Sequence, residues 1–239
     1  MLASNIVATA RCLGCVALFL LVAGTSRLGR GAEVLLASAR PELTLNITLM
    51  STQELPAWCA GALVAETNAI WWDSHLSLRW RTIDLYDPPP EPEIAGSLKV
   101  LLMAREVPNA GGPANFPVGE LVQSEGARPL ATASITGARR IVEEAQRFQL
   151  LRRPNAFEHR LGVVLGRAVA HEIGHYLLRT KTHAQKGLMR AAIDAQEFAD
   201  PKSRAFRLDP AARAHMAALA ARGPLVESSL SAFSYPQGR

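Results

Sequence analysis

The chain is short of cysteine. Only three occur in 239 residues, and Cys12 and Cys15 both fall in an N-terminal segment that reads as a leader. Cys59 alone remains beyond it, so no internal disulfide is available and the fold has to rest on its core. With no histidine near it in sequence, Cys59 is a poor nucleophile and reads as a small buried residue on a helix. Long apolar runs are also scarce. The one candidate, Cys12 to Gly24, is about thirteen residues, where a membrane span needs about 20, and this excludes a protein built from several spans. No basic stripe interleaved with aromatics is present, so nucleic acid is not an expected partner. There is no internal repeat. Apolar residues make up 49% and charged residues 20%, which excludes a disordered chain.

The formal charge of +5 overstates how basic the protein is. Arg11, Arg27 and Arg30 precede any acidic residue, and without them 23 basic residues face 21 acidic ones. Residues 1–32 read as a signal peptide or an N-terminal membrane anchor, with Arg11 ahead of the apolar run and small and polar residues after it. Cleavage at Gly31-Ala32 and cleavage nearer Gly24 to Ser26 both fit. The expected location is secreted or in the cell envelope. Residues 33–228 are enough for one domain, and 229–239 read as a frayed tail.

Leu43 to Met50 alternates apolar and polar residues, the pattern of a half-buried strand. Thr52 to Asp73 is helical, with Leu55, Trp58, Ala62, Ala65, Ala69 and Trp72 at intervals of three or four. All four tryptophans, Trp58, Trp71, Trp72 and Trp80, read as core. Leu76 to Ile83 alternates again, and Ser97 to Ala104 is a continuous run suited to a strand buried on both faces. Asp87 to Pro92 is a stiff connection, and Pro108 to Pro117 is loop. Gly119 to Gln123 and Ala131 to Thr136 are weaker strands, and Ala138 to Gln149 is a helix. Glu158 to Leu178 is the strongest helix, and Asp209-Pro210 starts a last one. Gly162, Gly166, Ala170 and Gly174 form a stripe of small residues that suggests close backbone approach, as to a sheet.

The chemistry lies in that long helix. His171-Glu172-Ile173-Gly174-His175 is an HExxH motif. Side chains at i and i+4 leave the same helix face with Cβ atoms about 6 Å apart, so one Zn²⁺ can take a nitrogen from each. Glu172 lies about 100° around the helix, placed to act on a water at the metal without ligating it. Three of the six histidines fall within thirteen residues. The candidates for a third ligand are His183, Asp194 and Glu197. His183 is favoured because Arg179 to Thr182 is polar enough to turn the chain beneath the first two; Glu197 and Asp194 stay open as alternatives. His75, His159 and His215 read as surface or packing residues.

HEIGHYLLRTKTH, followed by Gly187-Leu188-Met189, resembles the metzincin zinc peptidases, whose motif is HExxHxxGxxH with a methionine turn under the metal. The third histidine comes two residues later than the motif has it, and Leu178 stands where the family has its turning glycine. Arg190-Ala191 follows Met189, without the tyrosine that some members carry. The resemblance implies an α+β, zincin-like fold: a mixed, twisted sheet packed on helices, with an active-site helix and a C-terminal helix. It also implies Zn²⁺ held by His171, His175 and His183, Met189 as a structural support, and Glu172 as general base in peptide-bond hydrolysis. A monomer acting on peptides or proteins is expected. The alternative is a non-catalytic zinc-binding or interaction module that keeps the fold.

Overall fold

The computed structural model describes residues 43–85, 97–105, 118–122, 128–147, 156–223 and 225, all within one compact unit that spans residues 40–239. The leader, the proline-rich connection, the 108–117 loop and the tail expected from residue 229 lie outside the described residues.

Five strands form one sheet in the order β2-β1-β3-β5-β4. They are β1 (Leu43–Ser51), β2 (Leu76–Thr82), β3 (Ser97–Met103), β4 (Gly119–Val122) and β5 (Leu130–Ser134). β1, β2, β3 and β5 run parallel, and β4 pairs antiparallel on the β5 edge. The helices are α1 (Ala57–Trp71, extended by a 3₁₀ turn over Trp72–Ser74), α2 (Ile135–Gln146), α3 (Ala156–Leu178), α4 (Ala195–Ala199) and α5 (Pro210–Ala221).

Register shows why the sheet has one apolar face. Ile47 lies beside Trp80 and Leu98, Leu49 beside Val100, and Val100 and Leu102 beside Ala131 and Ala133. Parallel neighbours in register point the same way, so these residues form a single buried surface. α1 lies on that side, where Trp80 Nε1 donates to Asn68 Oδ1 of α1 at 2.9 Å. The other face carries Thr44, Asn46, Lys99 and Arg81, whose Nη2 donates to Thr48 Oγ1 at 3.2 Å. β3 is therefore buried on alternate residues, not on both faces as its run of apolar residues suggests.

Several boundaries differ from the sequence expectation, each for a local reason. β5 stops at Ser134 because that residue caps α2, its hydroxyl accepting from Gly137 N at 2.9 Å; Thr136 is thus helical, not strand. Asp209 caps α5 in the same way through Ala212 N at 2.8 Å. The short α4 has no counterpart in the expected elements.

The expected apolar stripe on α1 is split. Its Ala62 is buried with Cys59, Leu63, Thr67 and Trp71, and its Leu55 is half-buried, whereas Trp58, Ala65, Ala69 and Trp72 face solvent. α3 decides this orientation. A Cβ on Gly166 would sit 2.7 Å from Leu63 O, and one on Gly162 would overlap Cys59 O. The glycines therefore let α3 close on the backbone of α1, a helix and not the sheet. Thr67 Oγ1 ties the two helices when it donates to Gly166 O of α3 (3.0 Å); its other acceptor, Leu63 O (2.9 Å), lies in α1 itself.

Candidate metal centre

The last two turns of α3 carry His171, Glu172 and His175, and the chain then reverses. Arg179 adopts a left-handed backbone conformation with φ 54°. Two extra residues therefore do not remove the need for such a conformation; they move it one position past Leu178, onto an arginine. Thr180 and Thr182 stabilise the bend, with Thr182 N donating to Thr180 Oγ1 at 3.0 Å. His183 follows, and Ala184 N donates to Met189 O at 2.7 Å, which fixes the segment after His183 against the turn Gly187-Leu188-Met189.

That turn has three residues with three tasks. Gly187 takes φ 78° where a Cβ would meet Arg207 O at 2.6 Å. Leu188 donates its N–H to Arg207 O at 3.0 Å and offers its carbonyl to His171. Met189 is buried, with its sulfur against Gly174, so a side chain at 174 would displace it.

The three imidazoles come together. His171, His175 and His183 each place a nitrogen within 4.8 Å of the others, and no other such group occurs among the described residues. His171 and His183 stack with centroids 5.3 Å apart, while His175 stands nearly perpendicular to both. His171 Nδ1 lies 2.8 Å from Leu188 O and His175 Nδ1 lies 2.6 Å from Thr180 O. A carbonyl has no proton to give, so both Nδ1 atoms are donors and both Nε2 atoms hold free lone pairs. Those Nε2 atoms are 3.0 Å apart. Two lone pairs facing at that distance repel unless a cation or a proton lies between them. Burial and then the neighbouring histidines hold His171 down at about 4 against the pull of its Leu188 hydrogen bond, and burial foremost lowers His175 too. A proton is thus disfavoured and a metal cation is suited. Tetrahedral ligands about 2.1 Å from zinc stand roughly 3.4 Å apart, and the observed separations, 3.0 Å for the helical pair and at most 4.8 Å for any pair, bracket that value.

Asp194 and Glu197 are occupied elsewhere. Asp194 caps α4 through Gln196 N and Glu197 N, and Glu197 Oε2 accepts from Arg190 Nη2 at 2.8 Å. His159 and His215 are exposed and lie outside the cluster. His75 closes the 3₁₀ turn in a left-handed conformation with φ 60°.

Glu172 is 4% exposed, and burial first, with Glu120 of β4 second, pushes its carboxyl up to about 8. Gly119 leaves room for it: a Cβ there would meet Glu172 Oε1 at 2.7 Å. Gly119 and Glu120 therefore belong to the site, although in sequence they are only the start of a weak strand. Arg167, one turn before His171, is the other unforeseen participant. It is fully buried, pairs with Glu66 at 2.6 Å and donates to the carbonyls of Glu197 and Phe198. In this way it fastens α4 to α3. No sequence signal identified Arg167 or the carbonyls of Thr180 and Leu188.

No protein family matches the chain, and no curated protein matches it. Among solved structures, archaemetzincin from Methanopyrus kandleri is similar at TM-score 0.45 and 11% identity, over 74% of this chain and 96% of that one. A likeness so faint adds no weight to any functional reading, which has to come from the site.

Proposed function

We propose that this chain is a zinc-dependent peptidase in which His171, His175 and His183 hold the ion and Glu172 is the general base. The facing Nε2 lone pairs of His171 and His175, 3.0 Å apart with both Nδ1 atoms committed to carbonyls, carry the reading. Three neutral imidazoles leave a fourth position open, the donor set of a catalytic rather than a structural zinc. When bound, zinc would polarise a substrate carbonyl and make water acidic enough to attack near neutral pH.

Glu172 supplies the proton transfers. Its carboxylate takes a proton from the attacking water as the water oxygen bonds to the carbonyl carbon and the C=O π pair moves onto the carbonyl oxygen; that pair then re-forms the carbonyl as the C–N bond breaks and the same carboxyl returns the proton to the departing amine. A group held near neutrality can do both, and the burial that raises Glu172 works in that direction. Leu188 O and Thr180 O keep His171 and His175 in the ligating tautomer throughout.

A peptide fits better than a compact substrate. β4 pairs with β5 along one edge, and no other described strand pairs with it, while Gly119 of this strand touches Glu172. An extended peptide can add to such an edge by main-chain hydrogen bonds and bring a peptide bond to the base. A non-catalytic zinc module accounts for the histidines but not for a buried carboxyl beside them, whose burial costs stability. Export behind residues 1–32 as a monomer completes the proposal.

The test is Glu172→Gln. The account expects the variant to bind zinc as the parent does and to lose cleavage of a peptide library. Unaltered cleavage by the variant would remove Glu172 from the chemistry, and the mechanism with it.

A further inference from the structure

β4 ends the sheet, and the ladder on its inner side fixes which groups its outer edge offers. Ser134 N donates to Val118 O at 2.7 Å, and the register pairs Glu120 with Thr132 two residues further along. Hydrogen-bonded pairs alternate in an antiparallel ladder, so Glu120 turns its own N–H and C=O toward β5. Thr132 Oγ1 adds a second contact to Glu120 O at 3.2 Å. Gly119 and Leu121 therefore direct their N–H and C=O groups outward, where no other described strand pairs with them. Side chains alternate across the sheet. Gly119 lies against Glu172 and Leu121 against the core, while Glu120 and Val122 stand exposed on the opposite side.

Glu120 is costly where it stands. Its carboxylate is exposed, and no cation among the described residues is paired with it. The residue before it leaves room for Glu172, so two like charges are crowded at one end of β4, and each disfavours the other. A charge that merely keeps an open edge from pairing with another chain serves as well, or better, as a lysine. A lysine here would attract the Glu172 carboxylate instead of repelling it. The acid gains a favourable partner only when a cation comes to lie beside it on the open edge.

We infer, on the peptidase reading above, that Glu120 determines specificity by selecting a lysine or arginine side chain of the substrate within two residues of the bond that is cut. The substrate class is then a basic peptide bound in extended form. A peptide that adds antiparallel to β4 hydrogen-bonds to Gly119 and Leu121, and its residue opposite Glu120 forms a non-hydrogen-bonded pair. Such pairs bring Cα atoms to about 4.5 Å and side chains closest together. Opposite charges across them stabilise the pairing, and like charges oppose it. The substrate residue opposite Gly119 lies nearest Glu172, so its neighbour opposite Glu120 is close to the reacting bond.

The experiment exposes the zinc-reloaded full chain to a peptide library varied at every position and sequences the cut ends. The parent should prefer lysine or arginine over glutamine by up to about fivefold, at one fixed position within two residues of the bond. Glu120→Gln should lose that preference, chiefly through a higher KM for basic peptides. Glu120→Lys should invert it toward aspartate and glutamate, which a damaged fold cannot do. Added salt should weaken the parent's preference, because the pair is exposed. Binding without turnover gives a second reading: a fluorescent copy of the best-cut peptide should bind Glu172→Gln more tightly than it binds Glu172→Gln/Glu120→Gln. Cleavage with no basic preference, or a basic preference that survives in Glu120→Lys, would overturn the inference and leave the peptidase reading standing. No cleavage of any peptide by the parent would overturn both.

Discussion

The two halves of α3 are built on opposite principles. From Leu161 to Ala170 every residue is buried, and the helix lies so close to α1 that glycine is required at 162 and 166. Arg167 is the only charge there, and it is paired with Glu66. From His171 to Leu178 the helix is buried almost as deeply, but beside Ile173, Tyr176 and Leu177 it buries polar groups as well. The histidine lone pairs face one another, Glu172 is a carboxyl kept from water, and the helix ends on a left-handed arginine. The first half spends its burial on close packing and makes the fold. The second accepts unfavourable groups and strain, which only the first half, the methionine turn and a bound cation can offset.

The largest expected effect comes from breaking the packed half. Gly166→Val places a branched side chain on Leu63 O, a backbone atom that has nowhere to move. The loss should be roughly 3 kcal/mol or more, visible as a large drop in the urea midpoint with or without zinc. In the polar half, Gly119→Ala should do the reverse. Its Cβ displaces the Glu172 carboxyl from its place, and a misplacement of about 1 Å costs on the order of 100-fold in turnover, while zinc content and melting temperature stay near the parent's.

A smaller effect separates the halves by pH. In the zinc-free protein Glu172 is raised from 4.5 to about 8, so its contribution to stability is complete below 4.5 and is lost as pH rises toward 8. His171 is lowered from 6.5 to about 4, so its contribution is complete above 6.5 and is lost as pH falls toward 4. Between about pH 7.5 and 8, where His171 and His175 are neutral in both states, the Glu172 slope dominates, at no more than about 1.4 kcal/mol per pH unit. Urea midpoints in chelator should fall across that window for the parent and stay level for Glu172→Gln. The smallest effect is at the helix end. Arg179→Gly relieves a left-handed arginine, worth about 1–2 kcal/mol, against the freedom glycine adds to the unfolded chain. A rise in melting temperature of a few degrees is expected, and a fall would show that the Arg179 side chain matters more than its backbone.

The same division governs what the sequence discloses. His171, Glu172 and His175 are legible because one helical turn relates them, and local periodicity needs no knowledge of the rest of the chain. His183 is legible as a reachable third histidine, although the left-handed Arg179 that brings it round leaves no mark in residue type. Orientation is less legible than existence. α1 is apolar around its whole circumference, so its pattern could not say which side turns inward, and the glycines of α3, about a hundred residues later, decide it. α4 was invisible because its five residues depend on the Asp194 cap and on carbonyls held by Arg167, contacts made only in the folded chain. Gly119 and Glu120 were hidden for the same reason: sheet pairing with β5, and nothing in their neighbourhood in sequence, carries them to Glu172.

The most direct measurement is zinc per chain in the purified protein after controlled reloading, in the parent and in His183→Ala. The account predicts about one zinc in the parent, from its single three-histidine cluster, and a sharp loss in the variant, whose fold should persist because His183 is exposed. Full zinc in His183→Ala would contradict it, since the third ligand would then have to be a residue that the structure places outside the cluster.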